Sequence, residues 1–196
     1  VADLTAQKLL SQANAAGSVC VVEFHEAAVQ RVSKELGAAR SSNNRPVTHL
    51  GLGQARVEQV ASNRRYIGAD GRPFFNRTSA TSDASIRAQP EGTVDPWLKR
   101  ISYWNGDQPV LALSCYATHP MSYYGKGGIS SDFMGMARDR RQGDDLQVKQ
   151  IYVSGCSGNV TAGKYNDGAP ENRAVLARRI YDAMVTAWKQ THRLPL

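Results

Sequence analysis

The chain has 196 residues, of which 41% are hydrophobic and 21% charged, a composition typical of a globular protein with one sizeable core. No stretch approaches the roughly 20 apolar residues that a membrane-spanning helix needs, and no basic-then-apolar leader opens the chain. The net charge of +7 would attract anionic partners, but the Lys and Arg residues are dispersed, so we expect a solvated surface and no nucleic-acid partner.

The first half of the chain predicts two helices and a strand. Apolar residues recur at helical spacing from Leu4 to Ala15 and, after an interruption, from Val21 to Leu36. Residues 46–53 predict a short strand that ends in glycines. We expect His25 at the surface of the second helix and His49 partly buried in the strand, so neither is a candidate ligand.

Three consecutive polar residues, Asn63, Arg64 and Arg65, follow this strand. Two interpretations stay open for them. The tract is either a solvated surface or a means of directing a guanidinium, with its fixed fork of donors, into a site that handles an oxyanion. Residues 74–93 are rich in Ser, Thr, Arg and Gly without periodicity, which predicts a long irregular segment across the active face.

A hairpin is predicted in the middle of the chain. Residues 98–104 alternate as a strand, Asn105–Gly106 predicts a tight turn, and the apolar run 110–117 predicts a buried strand at the centre of the sheet. Because Pro120 cannot donate to a strand ladder, this strand must end near His119.

A parallel crossover is predicted next. Ser130 or Ser131 can cap a short helix, Asp132 reinforces its first turn, and residues 148–154 predict a parallel strand. A long amphipathic helix then begins near Pro170 and continues toward Pro195. The predicted fold class is therefore α/β, with a mixed, partly parallel sheet flanked by helices.

The ends of the two parallel strands carry the candidate functional groups. His119 ends one strand, and a small-residue loop, residues 155–163, follows the other. Ligands gather at the carboxyl ends of such strands, so we expect the two loops to face each other. By spacing alone, a histidine bonded to backbone explains His119 as well as a ligand does. Cys115 and Cys156 lie near the same ends and are expected as buried free thiols.

Five short motifs occur in order along the chain: Asn63–Arg65, Asp95–Pro96, Ala117–Pro120, Ser130–Asp132 and Gly155–Asn159. Their order and context resemble the neutral/alkaline, non-lysosomal ceramidase family, from about Glu23 to the end of the chain. The resemblance implies a zinc-dependent amidase that hydrolyses the N-acyl bond of ceramide, releasing sphingosine and a fatty acid.

The resemblance also implies residue roles. His119 would bind zinc, Arg64 would be the active-site arginine, and Thr161 stands where the family places a serine proposed as nucleophile, in a loop that here lacks the family's proline. Zinc would polarise the amide carbonyl and lower the pKa of a bound water to about 7, while Arg64 would stabilise the tetrahedral oxyanion. The resemblance further implies substrate-binding or supporting roles for five residues: Asn63, Asp132, Ser157, Gly158 and Asn159.

A catalytic zinc needs about three protein ligands, and one residue of this chain matches a family ligand. We therefore interpret residues 1–196 as a single, partial catalytic domain that is inactive on its own. The resemblance implies a ceramide-like lipid amide as substrate, contact with a membrane surface, and a secreted or periplasmic location. Two alternatives are a ceramidase-like hydrolase of another amide or ester, and a non-catalytic fragment with an incomplete metal site.

Overall fold

The computed structural model describes residues 19–41, 45–123 and 130–196. The chain divides into two compact units, Val1–Pro46 and Val47–Leu196. In the first unit, helix α1 spans Val19–Ser41, and the apolar side chains of Phe24, Val32 and Leu36 are exposed along it. The helix predicted over residues 4–15 lies outside the described residues. Within the described ranges, no helix has both the length and the apolar character to cross a bilayer.

The second unit contains the remaining strands and helices. In chain order they are β1 His49–Arg56, β2 Ser62–Asn63, β3 Tyr66–Ile67, β4 Pro73–Phe74, α2 Ala84–Ala88, β5 Trp97–Asn105, β6 Gln108–Tyr116, α3 Asp132–Asp144, β7 Lys149–Ser154, β8 Val160–Thr161, α4 Glu171–Lys189 and β9 His192–Pro195.

A mixed five-stranded sheet forms the frame of this unit, in the order β7-β6-β5-β1-β9. Strands β6 and β7 are parallel, and the other neighbouring pairs are antiparallel. The predicted α/β class, with a partly parallel sheet flanked by helices, is confirmed. The crossover through α3 is also where the sequence places it. The centre of the sheet is β5, however, whereas the sequence predicted that β6 would be central.

The hairpin between β5 and β6 follows from its turn residues. Asn105 pairs with Gln108, and Gly106 adopts φ +55°, a left-handed conformation that glycine reaches without steric cost. A bulge interrupts the register between Tyr103 and Trp104. The turn aligns β6 so that its carboxyl end lies beside that of β7.

Helices α3 and α4 cover one face of the sheet and enclose the core. The apolar stripe predicted for the last helix is buried at Leu176, Ile180 and Met184, against inward residues of the strands such as Leu98. Burial of side chains of this size stabilises the fold by about 1.5–3 kcal/mol each. The core therefore fixes α4 along β1 and β5.

The sequence prediction was wrong about the last residues of the chain. Helix α4 ends at Lys189, and residues 192–195 form β9, which pairs with β1 from His49 to Leu52.

Cys156 is exposed and Cys115 is half-buried, whereas both were expected to be buried; both are free thiols, as expected. His25 is exposed and His49 is half-buried, as predicted.

Candidate functional site

Two short strands bring the arginine tract and the small-residue loop together. Strand β2 pairs with β8, so that Ser62 opposes Thr161 and Asn63 opposes Val160. The hydroxyl of Ser62 donates to the Thr161 carbonyl at 3.0 Å, and the amide of Arg64 donates to the Asn159 carbonyl at 2.8 Å. Segments about a hundred positions apart in the chain therefore form one backbone-bonded unit.

His119 joins this unit through two hydrogen bonds. Its backbone amide donates to the Val160 carbonyl at 3.0 Å, and its Nδ1 lies 2.7 Å from the Ser157 carbonyl. A carbonyl oxygen only accepts, so Nδ1 must carry the proton and donate. The ring is half-buried, and in the neutral imidazole its Nε2 has the lone pair. Fixing one nitrogen on a backbone carbonyl is the usual arrangement of a metal-binding histidine.

The surroundings of His119 suit this side chain as one ligand of a zinc ion. Nε2 is an accepted zinc donor, and Ser157 supplies the outer hydrogen bond that orients the ring. Within residues 19–41, 45–123 and 130–196, no group of three or more His, Cys, Asp or Glu side chains is placed to hold a metal ion. The described residues thus offer one oriented ligand and not a complete zinc site.

Thr161 is fully buried, and its hydroxyl is engaged on both sides. Oγ1 donates to the Thr78 carbonyl at 3.2 Å and accepts from the Gly163 amide at 3.3 Å. Gly163 itself must be small, because a Cβ there would lie 1.8 Å from the Thr78 carbonyl oxygen. These contacts favour a supporting role for Thr161 in this conformation. Its role as nucleophile stays a prediction.

The other residues of the loop contribute mainly through their backbone. The carbonyl of Ser157 accepts hydrogen bonds from His119 Nδ1 and from the Val160 amide, and the carbonyl of Asn159 accepts one from the Arg64 amide. Gly158 is exposed, with open space where a Cβ would stand. The loop therefore holds the histidine and the arginine tract in a common frame.

Asn63 organises the start of the arginine tract. Its Oδ1 accepts from the Arg65 amide at 2.9 Å, and its Nδ2 donates to the Thr93 carbonyl at 3.1 Å. The amide side chain thus closes a local turn and ties it to the end of the irregular segment. Asn63 acts on the site by shaping the backbone that carries Arg64.

Asp132 binds the loop that follows His119. The carboxylate accepts from the hydroxyl of Ser122 at 2.6 Å and from its amide at 2.8 Å, while Arg173 Nε lies 3.7 Å away. Asp132 is buried and has φ +50°, a conformation that costs energy for a residue other than glycine. Ser131 occupies the N-cap position of α3 without a side-chain cap bond, whereas the hydroxyl of Ser130, the other predicted cap, accepts from the Asp132 amide at 3.3 Å.

Sequence reasoning missed Ser122, Asn166 and Arg173, which complete this clamp. Arg173 Nε donates to the Ser122 hydroxyl at 3.0 Å, and Asn166 Nδ2 donates to the Ser122 carbonyl at 2.8 Å. Each residue stands alone in a different loop or helix start, so no spacing in the sequence indicates the cluster. Together they fix the position of the segment three residues after His119.

The irregular segment packs against the small-residue loop. Lys164 Nζ donates to the carbonyls of Arg87 and Gln89 at 2.8 and 2.6 Å, and burial lowers the pKa of its ammonium. Tyr165 donates a hydrogen bond to the Glu91 carboxylate, and burial raises the pKa of this tyrosine. The segment therefore forms one wall of the site.

A cavity of about 480 Å³ opens between this wall and the loop after His119. Its described lining residues are Arg64, Phe75, Thr78, Ser79, Ala80, Met121, Ser122, Tyr123 and Gly168. Arg64 Nε and Tyr123 Oη are buried and have no hydrogen-bond partner among the described residues. The cavity is thus lined by apolar and polar side chains, while these two atoms themselves have no accessible surface.

Comparison with known proteins finds matches by structure but none by sequence. No family model and no curated protein matches this sequence. The solved structures that match include the neutral ceramidase from Pseudomonas aeruginosa and a ceramidase complexed with C2, each with a TM-score of 0.51 and 15% identity over 73% of this chain. The chain spans 23% and 22% of their lengths. At this identity the likeness shows a ceramidase-like fold, and the resemblance in the sequence is confirmed at that level.

Proposed function

We propose that the chain is part of a ceramidase-like hydrolase that cleaves a lipid amide, with zinc as its cofactor. One observation carries the proposal: His119, the Arg64 segment and the loop at residues 157–161 are joined by direct hydrogen bonds. The fold likeness to neutral ceramidases supports it independently. Because the chain spans under a quarter of those proteins, the activity belongs to the proposal and to a longer polypeptide.

His119 would supply one zinc ligand through Nε2, with the Ser157 carbonyl holding the ring in that tautomer. A bound zinc ion polarises an acyl carbonyl and makes bound water acidic enough to react near neutral pH. The remaining ligands would come from outside the described residues. Arg64 lines the cavity and would stabilise charge that develops on the acyl oxygen through the planar fork of donors of its guanidinium.

A second candidate is a ceramidase-like hydrolase of a different amide or an ester. The burial of the Thr161 hydroxyl, together with the absence of the family's proline after it, favours a site that differs from that of the ceramidases. The proposed substrate class is therefore linear lipid amides, with ceramide as its first member to test. We also propose contact with a membrane surface, because the substrate is a lipid, and a secreted or periplasmic location, because of the family resemblance.

Replacement of His119 in the full-length gene product tests the proposal. We expect His119→Ala to remove bound zinc and amide hydrolysis together while the thermal midpoint changes little, because a half-buried strand-end ligand contributes more to the site than to the core. Elemental analysis and hydrolysis of a short-chain ceramide are the measurements. His49→Ala, at a half-buried strand histidine away from the loop, is the matched control. Full zinc occupancy in His119→Ala would contradict the assignment.

A further inference from the structure

We propose that the docking hairpin, residues 65–75 with strands β3 and β4, attaches the protein to an anionic lipid surface. The inference rests on the proposed function, because it names the segment through which a lipid hydrolase would meet the surface that presents its substrate. It follows from the exposure, the charge and the position of this hairpin.

The docking hairpin is short and almost wholly exposed. Strands β3 and β4 pair over two residues each, and a hydrogen-bonded turn at residues 68–72 joins them. Between residues 65 and 76, every residue except Tyr66 and Gly68 is exposed. The described residues of the second unit therefore cover little of the hairpin, and its side chains are presented outward.

Three large apolar side chains lie next to one another on this hairpin. Their exposed fractions are 63% for Ile67, 39% for Phe74 and 60% for Phe75. Single exposed apolar residues are common on protein surfaces, whereas a contiguous group marks a surface that binds a protein, a ligand or a membrane. The hairpin therefore has the apolar part of a binding surface.

The apolar surface is held in one shape by packing within the hairpin. The rings of Tyr66 and Phe74 stack with 5.6 Å between their centroids. A Cβ at Gly68 would collide with the Phe74 ring, so this position of the turn must be glycine. The docking hairpin therefore presents its exposed side chains without first having to fold.

Two exposed arginines accompany these apolar side chains. No ion pair joins Arg65 or Arg72 to a carboxylate among the described residues. The Arg65 guanidinium lies 5.3 Å from the centroid of the Phe75 ring, so charge and apolar surface are side by side. Asp70 is the one acidic residue of the hairpin, and its carboxylate accepts from the Arg72 amide at 3.1 Å. The hairpin thus has the sign of charge that complements an anionic surface.

The size of the hairpin favours a bilayer over a protein partner. A stable protein interface takes about 20–30 residues from each side, roughly twice the length of this hairpin. A lipid surface needs only a few apolar side chains at the level of the head groups, with arginine stems that reach the phosphates. Each basic residue near an anionic surface contributes about a fivefold gain in binding.

The docking hairpin also lies beside the candidate site. Phe75 belongs to the hairpin and lines the cavity of about 480 Å³, and Arg64, another lining residue, directly precedes the hairpin. A lipid surface that holds the hairpin would therefore lie next to the cavity. A lipid would then reach the cavity from the bilayer without crossing open water, where its apolar chains are poorly soluble.

Co-sedimentation of the full-length gene product with vesicles tests the proposal. One set of vesicles consists of phosphatidylcholine, and the other consists of phosphatidylcholine and phosphatidylglycerol in equal parts. We expect at least about tenfold tighter binding to the anionic vesicles at low salt, and a smaller difference at high salt because ions screen the charges. Equal binding to both sets at low salt, or binding to neither, would overturn the proposal.

An apolar variant locates the contact within the chain. Ile67→Ser should weaken binding to the anionic vesicles about fivefold or more, since less apolar surface enters the head-group region. Leu146→Ser is the matched control, because Leu146 is an aliphatic residue with 76% of its surface exposed outside the hairpin. That control should change binding less than twofold. Equal losses in the two variants would contradict a contact through the hairpin.

Charge variants test the arginines in the same assay. Arg65→Gln combined with Arg72→Gln should weaken binding to the anionic vesicles about tenfold or more. Arg65→Lys keeps the charge and should bind like the parent. Lys149→Gln removes an exposed charge of strand β7 and is the control, with an expected change of less than about twofold. Undiminished binding in the double variant would overturn the role of the arginines.

A further measurement separates docking from a covered hairpin. If another part of the longer polypeptide packed on the hairpin, Ile67→Ser would lower the thermal midpoint by several degrees. We expect a shift of less than about 2 °C, as for other exposed residues. A lowered midpoint with unchanged vesicle binding would assign the hairpin to the fold and overturn the proposal.

Vesicle binding requires no catalysis, so the two proposals fail separately. Binding that is weakened in Ile67→Ser and kept in His119→Ala supports docking, whether or not the protein hydrolyses amides. Loss of binding in a folded His119→Ala variant would place the lipid contact at the metal site and overturn docking through the hairpin. Hydrolysis of a short-chain ceramide, measured separately, decides the proposed function.

Discussion

Two arginines near strand β2 show how one residue type serves the fold in one place and a cavity in another. Arg77 is fully buried, and its guanidinium donates to the carbonyls of Asn63, Pro90 and Ile86 at 3.3, 2.9 and 3.2 Å. Among the described residues the Nε atoms of both arginines lack a partner, but no hydrogen bond or ion pair joins the terminal nitrogens of Arg64 to another described residue. Burial lowers the pKa of Arg77.

The difference lies in where the donors point. Arg77 uses its terminal nitrogens to hold the irregular segment against β2, and it stacks over the ring of Tyr66 at 5.3 Å. Removal of those donors would leave backbone carbonyls buried without a partner. The Arg64 guanidinium makes no such contacts with described residues, so its place in the lining of the cavity is better explained by a role in the site than by stability.

The largest effect is expected at Arg77. Arg77→Met keeps an apolar stem but removes the guanidinium, and we expect the free energy of unfolding to fall by about 3 kcal/mol, because several buried carbonyls lose their donor. Urea denaturation monitored by circular dichroism is the measurement. Arg64→Met is the matched control and should change stability by less than about 0.5 kcal/mol. Equal losses in the two variants would remove the distinction between these arginines.

A smaller loss of stability is expected at Asp132, which clamps the loop after His119. Asp132→Ala should lower the free energy of unfolding by about 2 kcal/mol, since it leaves the Ser122 amide unsatisfied and places alanine at φ +50°. Asp132→Asn tolerates that φ and keeps an acceptor, so it should lose about half as much. Thermal denaturation of both variants measures the difference. An unchanged midpoint in Asp132→Ala would show that the hydrogen bonds from Ser122 to Asp132 do not stabilise the fold.

Arg64→Lys tests the cavity arginine by activity. It keeps the charge but not the planar fork, so turnover of the full-length gene product should fall about tenfold or more. The thermal midpoint should shift by less than about 2 °C, because Arg64 Nε contributes no hydrogen bond to the described fold. Arg65→Lys serves as control. Unchanged turnover in Arg64→Lys would favour the other interpretation of Arg64, that of a solvated surface residue.

The smallest effect is expected at Thr161. Thr161→Ser keeps the hydroxyl that bonds Thr78 and Gly163 and removes one buried methyl group, so we expect about 0.8 kcal/mol of destabilisation. Turnover should stay within about twofold if the hydroxyl only supports the loop. A rise in turnover of tenfold or more would indicate that this oxygen attacks the substrate after all, and that the buried conformation opens during the reaction.

Several features of the fold could be predicted because their signals are local. The turn at Asn105–Gly106, the stop at Pro120 and the alternation in residues 98–104 each depend on neighbours within a few positions. The contact between the His119 end and the small-residue loop was also anticipated, since parallel strands bring their carboxyl ends together. The pairing of β2 with β8 was not, because two-residue strands carry no periodicity.

The sequence alone determined the class of the fold and the parallel crossover, since hydrophobic spacing and turn chemistry act over short distances. The roles of His119 and Arg64 came from the family resemblance and stay predictions. Tertiary structure decided what each polar residue does. It bonded the terminal nitrogens of Arg77 to three carbonyls and placed Arg64 in the lining of a cavity. It also turned the terminal residues 192–195 into a strand beside β1 and buried the hydroxyl of Thr161. The physical reason is that a hydrogen bond depends on which distant segment arrives opposite a donor, and that is settled only when the core packs.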